Sequence, residues 1–173
     1  NKEQLNENDL KEFFLKIKKK EINGANITVP FKKDVISYVD QLSLEAEKTQ
    51  SVNTVYLKKD KIIGHNTDID GFKLAIKDAN YDVEGKKVLI LGAGGVVPSV
   101  IFALYKMKVL NVTISNRTKT KAENLKTLFN DLKIIDWGEV SSSDMIINAT
   151  SMGLKKEDKL NVDFSKFQSS EFF

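Results

Sequence analysis

The chain has 173 residues, 41% of them apolar, which suffices for one sizeable domain or two small ones and excludes wholesale disorder. It has no cysteine, so disulfides and thiolate metal sites are excluded, and its single histidine excludes a multi-histidine metal site. Basic residues number 27 against 24 acidic, a net charge of +3 with no dense basic stripe, so no nucleic-acid partner is expected. Nor is a membrane, since no apolar run approaches the roughly 20 residues that span a bilayer. The absence of cysteine suits a reducing cytoplasm.

Leu10, Phe13, Phe14 and Ile17 recur at helical spacing and predict an amphipathic helix, with Asn8 or Asp9 as its cap. Lys18, Lys19 and Lys20 close it, where cations suit the negative end of the dipole, and Asn23-Gly24 ends the segment. A short strand is expected over Ala25–Val29, stopped by Pro30. Helical segments follow over Val35–Val39 and Leu42–Lys48. Asn53–Leu57 and Lys61–Gly64 read as a hairpin around Lys58-Lys59-Asp60. A helix with Phe72, Ala75, Ile76 and Ala79 on one face starts near Asp68 and Asp70.

The rhythm changes at Glu84-Gly85. Strands and helices then alternate: Lys86–Leu91, a helix from about Val96 to Met107, Asn111–Ser115, a helix over Lys119–Phe129, Lys133–Trp137, and Met145–Ala149. Such alternation implies a parallel sheet with crossover helices. The fold class is therefore α/β, with a domain boundary expected near residue 82, giving domains 1–82 and 83–173. The chain opens without an initiator Met and closes without a final helix, and is expected to be the middle of a longer protein.

Val88-Leu89-Ile90-Leu91 is a continuous apolar run, as in a strand buried on both faces, and Gly92-Ala93-Gly94-Gly95-Val96 follows it directly. Glycines there allow a tight turn and close approach of backbone to a pyrophosphate, which the next helix's N-terminus then attracts. Val97 stands where the usual fingerprint has a small residue, and Pro98 falls in the first helical turn. A Walker A loop is excluded because no Gly-Lys-Ser/Thr follows. Asn116-Arg117-Thr118 comes 24 residues after Gly92, where NAD binders carry an acid for the ribose hydroxyls. Arg117 and Lys121 can pair with a 2′-phosphate and Thr118 can donate to it, which favours NADP over NAD; an ordinary helix cap would have the same composition.

In the first half, Asn26-Ile27-Thr28-Val29-Pro30-Phe31-Lys32 alternates Asn and Thr on one face and ends in a Lys after a stiffened turn. Asn53-Thr54 opens the hairpin, and Asn66-Thr67-Asp68 leaves it. Three polar clusters at strand ends are what a polyhydroxylated substrate needs, although turn and cap roles would use the same residues.

Taken together, G-A-N-I-T-V-P-F-K, S-V-N-T, N-T-D, G-A-G-G, N-R-T and N-A-T-S-M-G resemble the shikimate dehydrogenase family in order and spacing, from about Gly24 to Asp163. The resemblance implies a partial N-terminal substrate-binding α/β domain followed by a Rossmann-type NADP-binding domain. It implies reversible NADPH-dependent reduction of 3-dehydroshikimate to shikimate, with Lys32 and Asp68 as the catalytic pair and Thr28, Lys32, Asn53 and Asp68 as substrate-binding residues. Gly92, Ala93, Gly94, Gly95 and Val96 match the pyrophosphate turn, Asn116, Arg117, Thr118 and Lys121 the 2′-phosphate loop, and Met152 a residue near the nicotinamide. The cofactor is then NADP, no metal is expected, and a homodimer is left open. A serine-containing substrate segment would precede Asn1, and a late nicotinamide contact with a substrate-binding Gln would follow Phe173. Alternatives are a quinate/shikimate dehydrogenase preferring NAD, against which Arg117 argues, and a non-catalytic nucleotide-sensing domain, against which Lys32 and Asp68 argue. His65 and Trp137 are read as hairpin and packing residues.

Overall fold

The computed structural model describes residues 7–153 together with 155, 157, 158, 160, 162 and 164. The chain divides into two compact units, 1–69 and 70–173.

The first unit is a mixed four-stranded sheet with helices. Its elements are helix α1 (Glu7–Lys18), strand β1 (Gly24–Asn26), a 3-10 turn over Asp34–Tyr38, strand β2 (Gln41–Leu42), helix α2 (Leu44–Thr49), and strands β3 (Thr54–Lys58) and β4 (Lys61–His65). The sheet order is β1-β3-β4-β2, with β2 parallel to β4 and the other pairs antiparallel. Leu10, Phe14 and Ile17 of α1 bury their face against Val35, Ala46, Val52, Val55 and Ile62, while Phe13 packs from the edge. Each Val, Leu, Ile or Phe side chain among them contributes about 1.5–3 kcal/mol when fully buried.

Several local expectations shift. Asn8 and Asp9 lie inside α1, because the helix already runs from Glu7. It ends at Lys18, five residues before Asn23-Gly24, because Lys20 takes a left-handed conformation (φ 64°) and the Glu21 N–H reaches back to the Lys16 carbonyl. Lys19 and Lys20 are thus past the helix end, and Lys20 pairs with Asp60 at 2.7 Å. Their hydrogen bond and opposite charges raise the Lys20 pKa and lower that of Asp60. Gly24 starts β1, where a Cβ would strike the Val55 carbonyl oxygen. The strand stops at Asn26, short of the expected Val29. The hairpin turns on Lys59 and Asp60, both at positive φ (48° and 62°), as a two-residue turn of the right twist requires. The short strand β2 was not foreseen, since two residues carry no period.

Helix α3 (Asp68–Asp78) leads out of the first unit, and Phe72 and Ile76 pack in the core of the second. Ala75 and Ala79 are exposed. The domain boundary expected near residue 82 lies beyond this helix, whereas the division into units follows Ile69. The second unit continues with β5 (Lys87–Leu91), α4 (Val97–Lys106), β6 (Asn111–Ser115), α5 (Lys119–Lys126), β7 (Lys133–Ile135) and β8 (Met145–Asn148). All four strands are parallel in the order β7-β6-β5-β8, the parallel sheet that the alternation implies and the Rossmann-type arrangement that the resemblance implies. Val88 to Leu91 are fully buried, their odd and even members facing two different cores. α5 and β7 are shorter than expected: Phe129 is buried on a turn after α5, and Trp137 lies two residues beyond β7. Val97 needs no small-residue rule here, since its side chain is fully buried in the core on which α4 packs. No helix among the described residues is long and apolar enough to cross a membrane.

Candidate active site

In the first unit, pairing brings distant residues to one end of the sheet. Asn26 at the end of β1 faces Thr54 at the start of β3, which faces His65 at the end of β4. The ladder continues one step past each strand: the Ile27 N–H donates to the Asn53 carbonyl, and the Asn53 N–H to the His65 carbonyl. Asn53 therefore sits between the polypeptide leaving β1 and the polypeptide leaving β4. Lys32 is drawn to the same end because the Val52 N–H donates to its carbonyl at 2.8 Å.

There the side chains converge. Lys32 Nζ donates to Asp68 Oδ2 at 2.7 Å, and Asn53 Nδ2 donates to Asp68 Oδ1 at 2.8 Å. The Lys32 and Asp68 side chains are only 16% and 23% exposed, so the ion pair is mostly shielded yet reachable. Asn53 also takes the Thr67 N–H on Oδ1 at 2.9 Å and donates to the Thr67 hydroxyl at 2.9 Å. The Thr54 hydroxyl donates to Asn53 Oδ1 at 3.1 Å, with Asn26 Oδ1 at 3.5 Å. Three of the four residues that the resemblance named for substrate and catalysis thus share one hydrogen-bonded cluster. Thr28 stands apart: it is exposed, on the same alternating face as Asn26, and its carbonyl accepts the Phe31 N–H. Asn26, Thr54, Asn66 and Thr67 belong to this cluster but were read from the sequence only as members of motifs. The period-2 alternation marked Asn26; nothing in the sequence alone marked Thr54 as an Asn53 contact.

The second unit carries a cleft of about 470 Å3 lined mainly by the carboxyl ends of its strands. β5 supplies Gly92 to Gly94, β6 supplies Asn116 to Thr118, β7 leads to Trp137, and β8 leads to Ala149 through Met152. The chain runs outward from β5 through β6 to β7, then returns to the other side of β5 as β8. That reversal is the switch point at which open α/β sheets bind their ligands. Gly92 has φ 106°, and a Cβ there would lie 2.8 Å from the Ala149 carbonyl oxygen, so the turn demands glycine on both counts. Gly94 and Gly95 are exposed, leaving backbone free for close approach.

Asn116 Nδ2 donates to the Thr118 carbonyl at 2.6 Å and folds the loop back on itself. Thr118 occupies the cap position of α5, but its side chain makes no capping hydrogen bond. Arg117 and Lys121 are exposed and line the cleft without a carboxylate partner among the described residues. Opposite, Asn148 accepts the Thr150 hydroxyl at 2.7 Å and donates to the Met152 carbonyl at 2.9 Å, which closes N-A-T-S-M into a tight loop. Trp137 and Leu160 complete the lining. Trp137 packs in the smaller core of this unit, as expected of it, and its position just past a strand's carboxyl end also puts it on the cleft.

Residues 1–55 match the family model for the shikimate dehydrogenase substrate binding domain, and residues 73–161, just over half of the chain, match that for shikimate / quinate 5-dehydrogenase. The chain is 51% identical over 172 residues to the shikimate dehydrogenase (NADP(+)) of Pelagibacter ubique, covering 99% of this chain and 65% of that protein. Its fold is similar to the crystal structure of shikimate dehydrogenase from Aquifex aeolicus, with a TM-score of 0.81 at 36% identity over 92% of this chain and 60% of that one. Similar too is the Thermus thermophilus shikimate 5-dehydrogenase solved with NADP(H) and shikimate, with a TM-score of 0.77 at 30% identity over 87% and 56% of the respective chains. The chain thus spans between about half and two thirds of the length of the curated relatives it matches. On both its polar strand-end cluster and its glycine-turn cleft, through matches that together run nearly its whole length, this chain belongs to the shikimate/quinate dehydrogenase family.

Proposed function

We propose that this chain carries the reacting pair and the cofactor cleft of an NADP-dependent shikimate dehydrogenase, which reversibly reduces 3-dehydroshikimate to shikimate. One observation carries the reading: the shielded Lys32–Asp68 pair at 2.7 Å, with Asn53 on the second carboxylate oxygen. Bound NADPH supplies a hydride to the ring carbonyl carbon of the substrate. The oxygen left behind must gain a proton, and Lys32 Nζ is the donor; in the oxidative direction it takes the proton back. Its ammonium also favours the negative charge that develops on that oxygen. Both oxygens of Asp68 accept hydrogen bonds from nitrogen donors, Lys32 Nζ and Asn53 Nδ2. Asp68 orients Lys32, and its remaining lone pairs can accept a substrate hydroxyl. Asn53 in this cluster, and Thr28 on the segment that leads to Lys32, are the further residues proposed to bind the substrate's hydroxyl and carboxylate groups.

The cleft of the second unit fits NADP by its donor set. The Gly92 turn presents backbone where a Cβ cannot go, which suits a pyrophosphate at the start of α4. Arg117, Lys121 and the uncapped Thr118 hydroxyl suit a 2′-phosphate, and no acid stands at the ribose position to repel it. Met152, in the Asn148 loop at the end of β8, is the residue for which the resemblance implies a place near the nicotinamide. The decisive assay follows reduced nicotinamide absorbance in the full-length protein with shikimate and quinate, each with NADP and NAD. Turnover is expected with shikimate and NADP. Nucleotide binding without turnover would overturn the reading, and a preference for quinate or NAD would correct it. A cytoplasmic location accompanies the proposal and is tested by cell fractionation; a homodimer stays open, and light scattering decides it.

A further inference from the structure

We infer that Asn66, anchored by Thr49, is a positioning residue that holds Asp68 in register with Lys32, so that the last turn of α2 sets the geometry of the reacting pair. The inference rests on the reading of Lys32 and Asp68 just given.

Asn66 is the innermost member of N-T-D, fully buried at 0% exposure. Its side chain is bound at both ends. Oδ1 accepts the backbone N–H of Asp68 at 3.0 Å, fixing the first residue of α3. Nδ2 donates to the Thr49 hydroxyl at 3.1 Å and to the Ser51 carbonyl at 3.0 Å. The Thr49 hydroxyl, itself buried, donates a hydrogen bond to the Glu45 carbonyl one turn back in α2 at 2.7 Å. A continuous chain of hydrogen bonds therefore runs from the backbone of α2 through Thr49 and Asn66 to the amide of Asp68. Asn53 holds the same carboxylate from the other side.

The chemistry explains why each group must be what it is. An acceptor two residues before Asp68 makes the tight turn that opens α3, and Ser or Asp could supply that acceptor. Neither could also donate two hydrogen bonds from a planar amide to an oxygen on each side. Capping α3 needs only Oδ1; the amide nitrogen, spent entirely on Thr49 and Ser51, serves to fix where the cap sits. The hydrogen bonds of the Asn66 side chain go to the Asp68 N–H, the Thr49 hydroxyl and the Ser51 carbonyl. It acts through the Asp68 backbone, and a shift of about 1 Å in a positioned group can cost on the order of 100-fold in rate.

The test uses four variants of the full-length protein: Asn66→Ala, Thr49→Val, Thr49→Ser and, as reference, Lys32→Ala. Asn66→Ala is expected to lower kcat roughly 10- to 100-fold, with NADPH affinity unchanged. Thr49→Val keeps the volume and the bond to the Asp68 N–H but removes one of the two anchors of the amide nitrogen, and is expected to lower kcat about 5-fold with less effect on KM. Thr49→Ser returns the hydroxyl and recovers the turnover lost in Thr49→Val. Amide hydrogen exchange at Asp68, read by NMR, quickens in Thr49→Val and returns to its original rate in Thr49→Ser. If Asn66→Ala does not fold, the Thr49 pair alone decides. Wild-type kcat and unchanged Asp68 exchange in Thr49→Val would overturn the inference. A wild-type protein without dehydrogenase activity, in which Thr49→Val still frees the Asp68 amide, would overturn the proposed reaction while leaving the positioning of Asp68 standing.

Discussion

The two units make their candidate sites out of different material. In the first, side chains hold one another: Lys32, Asp68, Asn53, Thr67 and Asn66 are bound before any ligand arrives. In the second, backbone makes the site, at a glycine turn with φ 106° and at strand ends, while among the described residues the charged side chains Arg117 and Lys121 have no carboxylate partner. The contrast fits what each site is proposed to do. Moving a proton needs donor and acceptor fixed within a fraction of an ångström before reaction, which a satisfied network supplies. Gripping a phosphate needs positive potential and N–H groups that are still unspent, which a pre-formed network would use up.

The sharpest break would come at Lys32. Lys32→Ala is expected to lower turnover by roughly 100- to 10,000-fold, the range for loss of a positioned acid–base group. NADPH affinity should stay nearly unchanged, because the cleft residues belong to the second unit. Stopped-flow turnover and fluorescence titration of NADPH read the two quantities separately; full activity would remove Lys32 from the mechanism.

The second site should instead fail through its backbone. In Gly92→Ala the added Cβ meets the Ala149 carbonyl oxygen at 2.8 Å, and the residue must hold φ 106°. Strain of that kind costs about 1–3 kcal/mol. A lower melting temperature together with weakened binding of both NADPH and NADH is expected from calorimetry and titration. Unaltered affinity for both would mean that the turn is not the pyrophosphate site.

Arg117→Ala separates charge from backbone within the same cleft. A hydrogen-bonded charged group is worth about 1.5–3 kcal/mol, so NADPH should weaken roughly 10- to 100-fold and NADH hardly at all. Equal losses for the two cofactors would exclude contact with the 2′-phosphate. Stability should not change, since Arg117 is exposed.

The same contrast explains what could be read from the amino-acid order. The second unit was legible because its logic is local. An apolar run such as Val88–Leu91, a glycine cluster and the next helix are contiguous, and parallel alternation leaves few topologies. β6 falls on Asn111–Ser115 as the pattern predicted. The first unit's motifs were legible one at a time, but their convergence depends on register between β1, β3 and β4, which contiguous patterns do not encode. The Thr49–Asn66 anchor was invisible for the same reason: Thr49 is 17 residues from Asn66 and looks like the end of an ordinary helix. The end of α1 was misjudged at Lys20 because a left-handed residue that is not glycine leaves no compositional mark.

The smallest effect offers the finest test of the idea that the first site is made of satisfied side chains. Ser51 lies between Thr49 and Asn53 and is 4% exposed, yet its hydroxyl is buried without a hydrogen-bond partner among the described residues, while its carbonyl accepts Asn66. A buried unsatisfied polar group costs about 1–3 kcal/mol, and Ala preserves the backbone carbonyl that the network uses. Ser51→Ala should therefore leave kcat unchanged and raise stability by about 1 kcal/mol, seen as a higher melting temperature. Asn66→Ala, in the same buried corner, should lower both. If the two substitutions destabilise the protein alike, burial alone governs this corner. If their effects differ in sign, stability and geometry here depend on which polar groups are bound and not on how many are buried.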